Sequence, residues 1–235
     1  MVVSSRFQQK TKSETLGFVN LFYKYKFAIM KLSRILSPIK NSPNLRSLID
    51  ELEVMWQKEQ DKRLDFYNWL TPDKKAEFIG GEIIVHSPVV KKHNVITKEL
   101  LKILDPFIIS RDLGFLGVEK IMCRFDRNDY EPDLCFFKKE KSVTFLDDQT
   151  IFPIPDFIVE ILSPSTEARD RGIKKEDYQL NGVQEYWIID PDIDTIEQYL
   201  INEDGEYNEP IFFEKGFIEC NVLQGLKIDV KSIFK

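Results

Sequence analysis

Residues 155–178, "PDFIVEILSPSTEARDRGIKKEDY", combine an apolar strand pattern with a helical pattern that follows at once. The first eight residues are mostly aliphatic or aromatic, which is typical of a buried strand. Ser165 and Thr166 suit the N-cap of a helix, and Gly182 suits the position after its end. A helix of this length can connect two parallel strands, and "EYWIID" at 185–190 predicts the second of them. The stretch therefore predicts an α/β fold.

The segments on either side extend this pattern into a mixed sheet. "EFIGGEIIVH" at 77–86 alternates about Gly80-Gly81 and predicts an N-terminal β-hairpin. The other predicted elements are a leading helix from Leu45, an aromatic segment at 64–70, a helix from about 90 to 111, strands at 115–125 and 132–137, and a C-terminal β-meander. The core order is helix, strand, strand, strand, helix, strand, and we expect helices on both sides of the sheet.

Charge is distributed unevenly along the 235 residues. Residues 1–44 carry eight Lys or Arg and one acid, whereas residues 45–235 carry 25 and 38, which together give the net charge of −6. We interpret residues 1–44 as a basic N-terminal arm, disordered or upstream of the true start, and residues 45–235 as a single domain. The acidic body argues against indiscriminate coating of nucleic acid. A local basic groove stays open, with candidates at Lys91–Lys92, Lys138–Lys139 and Arg169–Lys175.

Membrane insertion and secretion are not expected. No apolar run approaches the roughly 20 residues of a spanning helix, and Lys24 and Lys26 interrupt the apolar stretch that a signal peptide would need. The three cysteines show neither paired spacing nor zinc-ligand spacing. A reducing cytoplasm fits this composition best.

Two acids stand inside otherwise apolar strands. Asp133 lies near the start of "PDLCFF" and Glu160 near the end of "PDFIVEIL", and Glu82 lies on the hairpin. If the two later strands are neighbours, Asp133 and Glu160 can converge on one Mg²⁺ or Mn²⁺ ion, which prefers oxygen ligands. Such an ion activates water against a phosphodiester. A single strand acid can also be a salt-bridged edge residue or a strand-end cap, and this alternative stays open.

Asp170, Lys174 and Tyr178 are spaced four residues apart and should share one face of the helix that follows Glu160. The helix begins close to Glu160, so Lys174 could reach a scissile phosphate and stabilise its developing negative charge. An ordinary surface pair between Asp170 and Lys174 is the alternative.

Several segments together resemble the Uma-type family of restriction-endonuclease-like proteins. They are "AEFIGGEIIVHSP" at 76–88, "PDL" at 132–134, "DFIVEILSPST" at 156–166, "DRGIKKEDY" at 170–178 and "GVQEYWIIDP" at 182–191. The resemblance covers roughly residues 66–200. It implies the αβββαβ core of the PD-(D/E)XK nuclease superfamily, which agrees with the order of the predicted elements.

The resemblance also implies roles for individual residues. Asp133 and Glu160 correspond to metal ligands, and Lys174 corresponds to the charge-stabilising lysine. That superfamily places its lysine two residues after the glutamate, where this chain has Leu162, but the family carries a lysine on the following helix. Lys175 is the rival, and the spacing to Asp170 and Tyr178 favours Lys174. We expect Glu82 to be the remaining catalytic acid, with Asp170, Tyr178 and His93 around these groups.

The sequence thus predicts a cytoplasmic, Mg²⁺-dependent endonuclease that hydrolyses DNA, with Mn²⁺ as a possible substitute. A homodimer is plausible because cutting both strands usually calls for two sites. The alternative is a catalytically inactive nucleic-acid- or protein-binding module that keeps the nuclease fold. An enzyme acting on RNA or on another phosphorylated substrate also stays open.

Overall fold

A computed structural model describes residues 36–71 and 73–235. Most of the predicted basic arm, residues 1–35, lies outside the described residues, and the boundary at residue 45 stays a prediction. The chain forms two compact units. One contains the described residues up to Lys58 together with Asn202–Glu206, and the other contains Glu59–Ile201 and Tyr207–Lys235. The second unit carries the sheets described below.

The described part of the chain contains helices and mostly short strands. Residues 36–40 are helical, and the helices that follow are α1 (Leu45–Trp69), α2 (Lys91–Arg111), α3 (Lys139–Ser142), α4 (Glu167–Arg169), a π-helical turn (Asp170–Lys174), α5 (Lys175–Leu180) and a 3-10 turn (Val230–Ser232). The strands are β1 (Ala76–Ile79), β2 (Glu82–Val85), β3 (Gly114–Val118), β4 (Met122–Arg124), β5 (Asp129–Tyr130), β6 (Leu134–Lys138), β7 (Ile151–Phe152), β8 (Phe157–Ile161), β9 (Glu185–Asp190), β10 (Thr195–Leu200), β11 (Ile211–Phe213), β12 (Phe217–Cys220) and β13 (Leu226–Asp229).

A six-stranded mixed sheet in the order β11-β10-β9-β8-β6-β3 forms the centre of the second unit. β8 and β9 are parallel and are connected by the helical segment from Glu167 to Leu180, whereas β3, β6 and β8 are antiparallel neighbours. The order α2, β3, β6, β8, helix, β9 confirms the predicted αβββαβ core. This is the restriction-endonuclease-like arrangement.

The two faces of the central sheet bury different sets of side chains. On β8, Phe157, Val159 and Ile161 belong to the apolar cluster that also contains α2 residues. Ile158 instead belongs to the cluster that contains Tyr178 of α5. Helices therefore cover both faces, as predicted. Because side chains alternate along a strand, Glu160 shares the face of Ile158.

A second, five-stranded sheet has the order β2-β1-β5-β4-β7. The predicted hairpin is confirmed: β1 and β2 are antiparallel, and Gly80 and Gly81 turn the chain with φ values of 57° and 83°. Such positive φ values at both central positions favour glycine. β1 is buried along its whole length between β2 and β5, whereas β2 is an edge strand and is mostly exposed.

Three predicted segments differ from the structure. The single strand at 115–125 is wrong, because Glu119 and Lys120 adopt positive φ and divide it into β3 of the central sheet and β4 of the hairpin sheet. The aromatic segment at 64–70 is the last part of α1. In the C-terminal meander, β10 and β11 extend the central sheet, while β12 leaves it and pairs with β13.

None of the helices in residues 36–71 and 73–235 is long and apolar enough to cross a membrane. All three cysteines are buried and carry free thiols.

Candidate active site

A cavity of about 270 Å³ opens where the ends of β6 and β8 meet the hairpin and the helical segment after β8. Its walls include Asp133, Glu160, Asp170, Lys174 and His93. Five of the predicted site residues therefore lie at one place in the fold. Of the three basic clusters in the sequence, only the one at Arg169–Lys175 contributes to these walls.

The strand register explains why the two strand acids meet. β6 and β8 are antiparallel, and Leu134 pairs with Val159. Asp133 and Glu160 occupy the next pair of positions along this register, directly opposite each other. Opposed residues of this kind have Cβ atoms about 4.5–5.5 Å apart and side chains on one face. The register therefore places the two strand acids side by side, as the sequence predicts, and their role as metal ligands stays a prediction.

The helical segment supplies two donors to Glu160. Lys174 Nζ donates to Glu160 Oε1 at 3.0 Å, and the Tyr178 hydroxyl donates to the same oxygen at 2.8 Å. Lys174 and Tyr178 are one turn apart and face β8, as their spacing predicts. Asp170 completes the face, with Oδ1 3.2 Å from Lys174 Nζ. Lys175 instead lies over the ring of Tyr199, and of the two rival lysines only Lys174 lines the cavity.

Lys174 is the centre of a buried charge cluster. Its side chain is only 2% exposed, and Nζ also lies 2.9 Å from Glu77 Oε1 on β1. Burial opposes the charge of Lys174, but Glu160, Glu77 and Asp170 outweigh it and hold the pKa of the lysine well above its usual range. The ammonium group is therefore a fixed positive charge beside three carboxyl groups.

The carboxylates of the cluster differ in their environments. The pKa of Glu160 is raised to about 8, mainly by burial. The charge of Lys174 lowers this pKa, but repulsion from Asp170, Asp133 and Glu77 raises it further. Burial acts in the same direction on Glu77, but Lys174 and His86 outweigh it and lower that pKa to about 2.

Asp133 is fixed by the backbone and by a histidine. Its Oδ2 accepts hydrogen bonds from the Ile161 backbone N–H at 2.8 Å and from His93 Nε2 at 3.0 Å. Burial would raise the pKa of Asp133, but His93, Lys75 and the Ile161 N–H together lower it. The ionised carboxylate can only accept, so His93 Nε2 must carry the proton of this bond. His93 thus orients Asp133, in agreement with its predicted place beside the site.

Glu82 does not join the cluster. Its side chain is 72% exposed and lies 3.1 Å from Lys62. The physical reason is the hairpin topology: Glu82 lies on the edge strand β2, whereas Glu77 lies on the enclosed strand β1. The hairpin acid in the cluster is Glu77, which contacts Lys174, and His86 Nε2 lies 3.1 Å from Glu77 Oε2. Both residues are in the quoted segment 77–86, but its alternation alone does not tell which strand is enclosed.

The donor set fits a hydrated divalent cation held by two carboxylates. Within the described residues, no hydrogen bond reaches Asp133 Oδ1 or Glu160 Oε2, so each acid keeps one oxygen for a ligand. No group of three or more His, Cys, Asp or Glu side chains in this part of the chain is arranged to hold a metal ion. Mg²⁺ commonly binds through one or two carboxylates and keeps several waters, so two carboxylates can be sufficient to hold it.

Comparisons with known proteins agree with this geometry. Residues 63–231 match the Uma2 family, which is described as "Putative restriction endonuclease". An uncharacterized protein of Synechocystis sp. is 30% identical over 139 residues, which cover 57% of this chain and 70% of that protein. The crystal structure of a "putative nuclease belonging to DUF820" from Anabaena variabilis has a TM-score of 0.63 at 23% identity and covers 73% of this chain and 96% of its own. This likeness shows a shared fold, and the family match over most of the chain shows that the protein belongs to the Uma2 family of restriction-endonuclease-like nucleases.

Proposed function

We propose that the protein is a metal-dependent endonuclease that hydrolyses phosphodiester bonds of DNA by attack of water. The observation that carries this proposal is the pair Asp133 and Glu160, opposed in register beside the buried Lys174 and each with one carboxylate oxygen free of hydrogen bonds. Family membership supports nuclease chemistry. The divalent metal and the DNA substrate are the parts that the proposal adds.

Asp133 and Glu160 would hold Mg²⁺ or Mn²⁺, which when bound polarises a phosphodiester and lowers the pKa of bound water. The chain itself supplies the positioning. His93 and the Ile161 N–H hold Asp133, while Tyr178 and Lys174 hold Glu160. Lys174 keeps its positive charge next to the reacting groups, where it stabilises negative charge that develops on the attacked phosphate.

A plasmid-nicking assay tests the proposal. Wild-type protein with Mg²⁺ or Mn²⁺ should nick supercoiled plasmid, and EDTA should abolish the activity. Asp133→Asn, Glu160→Gln and Lys174→Met should each lower the rate by at least about 100-fold, because each removes a metal ligand or a charge at the reaction centre. Glu219→Gln is the matched control, since this carboxylate on β12 is exposed and pairs with Lys227 at the surface.

Circular dichroism and thermal unfolding of each variant separate loss of chemistry from loss of fold. Nicking by all three variants at the wild-type rate would contradict the proposed site. Calorimetric titration of Mn²⁺ into wild type and Asp133→Asn gives a second readout, with a binding heat expected only in the wild type. DNA binding without metal binding or cleavage would instead support the inactive module.

The homodimer and the cytoplasmic location stay predictions. Sedimentation velocity of the full chain with and without a DNA duplex tests the first of them. Parallel nicking assays on DNA and RNA of the same sequence decide between the two nucleic acids.

A further inference from the structure

Arg169 lies in the wall of the cavity that holds Asp133 and Glu160. It is the last residue of α4 and directly precedes Asp170 of the charge cluster. The side chain is partly buried, and its Nε is a buried atom with no hydrogen-bond partner in the described part of the chain. An arginine cannot give up its proton, so this buried donor must find an acceptor or lose free energy.

The acids nearest to Arg169 in the chain are already bound to other cations. Glu167 accepts from Arg171 Nε at 3.0 Å, and Asp170 pairs with Lys174. Within residues 36–71 and 73–235, no carboxylate forms an ion pair with Arg169. Its positive charge is therefore available to a ligand.

The other cationic side chains of the cavity wall are engaged by carboxylates. Lys174 is surrounded by Glu77, Glu160 and Asp170. Lys75 Nζ lies 3.7 Å from Asp133 Oδ1 and 3.9 Å from Glu119 Oε2. Among the described lysines and arginines that line the cavity, Arg169 alone lacks a carboxylate partner.

The ligand that matches these properties is a phosphate. A guanidinium group presents planar, paired donors that bind phosphate oxygens in a bidentate manner, and the resulting bonds are stronger than those between neutral groups. We propose that Arg169 binds a backbone phosphate of the nucleic acid that enters the cavity. This inference rests on the proposed function, because it names the residue that holds the substrate of that reaction. The contact is independent of base sequence, since it is made to the backbone.

Fluorescence anisotropy of a fluorescein-labelled DNA duplex tests this contact, with wild type, Arg169→Ala and Arg169→Lys compared at several salt concentrations. The titrations are run in EDTA and repeated with Ca²⁺. Arg169→Ala should weaken binding by about tenfold or more, because a hydrogen bond to a charged group is lost. The slope of log affinity against log salt should fall in magnitude by about 0.9, the value for one phosphate contact. Arg169→Lys should give an intermediate affinity, since it keeps the charge but loses the bidentate geometry.

Arg127→Ala is the matched control, because its guanidinium is already bound by Glu59 at 2.7 and 2.8 Å. Equal salt slopes for Arg169→Ala and Arg127→Ala would overturn the inference, as would the absence of duplex binding by wild type under both conditions. Thermal unfolding of Arg169→Ala and Arg169→Lys tests whether the fold is retained.

The phosphate contact and the nuclease activity can fail separately. DNA binding that depends on Arg169, without any nicking, would support the phosphate contact and contradict the nuclease. Nicking by the wild type, together with DNA binding that Arg169→Ala does not change, would support the nuclease and contradict the phosphate contact.

Discussion

At the scale of single residues, the site depends on one ammonium group. Lys174 contacts Glu160 of the central sheet, Glu77 of the hairpin sheet and Asp170 of its own helical turn. A buried charge is stable only where partners compensate it, and here the partners come from three separate elements. Removing any one of them changes the position or the charge balance of the lysine beside Glu160.

The difference between Glu77 and Glu82 gives a direct test. Glu77→Gln should lower the nicking rate by about 10- to 100-fold. This is the usual effect of losing a residue that does not bind the metal but positions the residues that do. Glu82→Gln should leave the rate unchanged, because that carboxylate lies at the surface beside Lys62. Initial rates of plasmid nicking measure both. A rate loss confined to Glu82→Gln would show that the hairpin acid we first predicted is the functional one.

Residue-level reasoning found the face of the helical segment, although Asp170–Lys174 is a π-helical turn with non-helical φ and ψ at Gly172 and not the regular α-helix that was predicted. The spacing of Asp170, Lys174 and Tyr178 correctly predicts that they share one face toward Glu160. The same reasoning failed for the hairpin. β1, which carries Glu77, is enclosed by pairing with β5, and β5 lies about 50 residues further along the chain. Local alternation carries no information about that partner.

At the scale of elements, helix α1 is attached to the hairpin sheet through Arg63. This guanidinium is 3% exposed and donates to both carboxylate oxygens of Asp129, at 2.6 and 2.7 Å. It also donates to the backbone carbonyls of Phe125 and Asn128. The arginine thus fixes the loop that leads from β4 into β5, the strand that encloses β1.

Arg63→Met should lower the free energy of unfolding by about 3–5 kcal/mol, because it leaves the fully buried Asp129 without its countercharge. Arg127→Ala should cost less than about 1 kcal/mol, since the Arg127 side chain is largely exposed and surface pairs contribute little. Urea unfolding followed by circular dichroism measures both variants. Equal losses in the two variants would contradict the structural role of Arg63.

The elements themselves were largely predictable, and the exceptions have physical causes. Gly80 and Gly81 identify the hairpin because two adjacent positive φ values favour glycine. The break between β3 and β4 was missed because Glu119 and Lys120 adopt positive φ without glycine. Their local sequence therefore gives no turn signal.

At the scale of the molecule, the proposed catalytic groups belong to one compact unit. Glu77, His93, Asp133, Glu160 and Lys174 all lie within the unit of Glu59–Ile201 and Tyr207–Lys235. The family match, residues 63–231, covers nearly the same part of the chain. The αβββαβ order was predictable because each of its elements has its own periodic pattern. The division of the strands between two sheets was not, since it depends on long-range pairing.

Deletion of residues 1–44 tests the predicted domain boundary. A chain that begins at Leu45 should keep the wild-type nicking rate and the wild-type midpoint of thermal unfolding, because the cluster and its supporting contacts lie beyond that point. The full chain, measured in parallel, is the control. A lower midpoint or a lost activity would show that the basic segment contributes to the folded enzyme.

The meeting of two sheets at Lys174 has a consequence for newly made protein. Glu77 belongs to the hairpin sheet and Glu160 to the central sheet, so the complete set of carboxyl groups around the lysine forms only when both sheets are in place. On the proposed function, a chain still emerging from the ribosome would reach its full rate of hydrolysis only after both sheets have docked. Partly folded copies would therefore cleave the proposed substrate much more slowly than the folded protein.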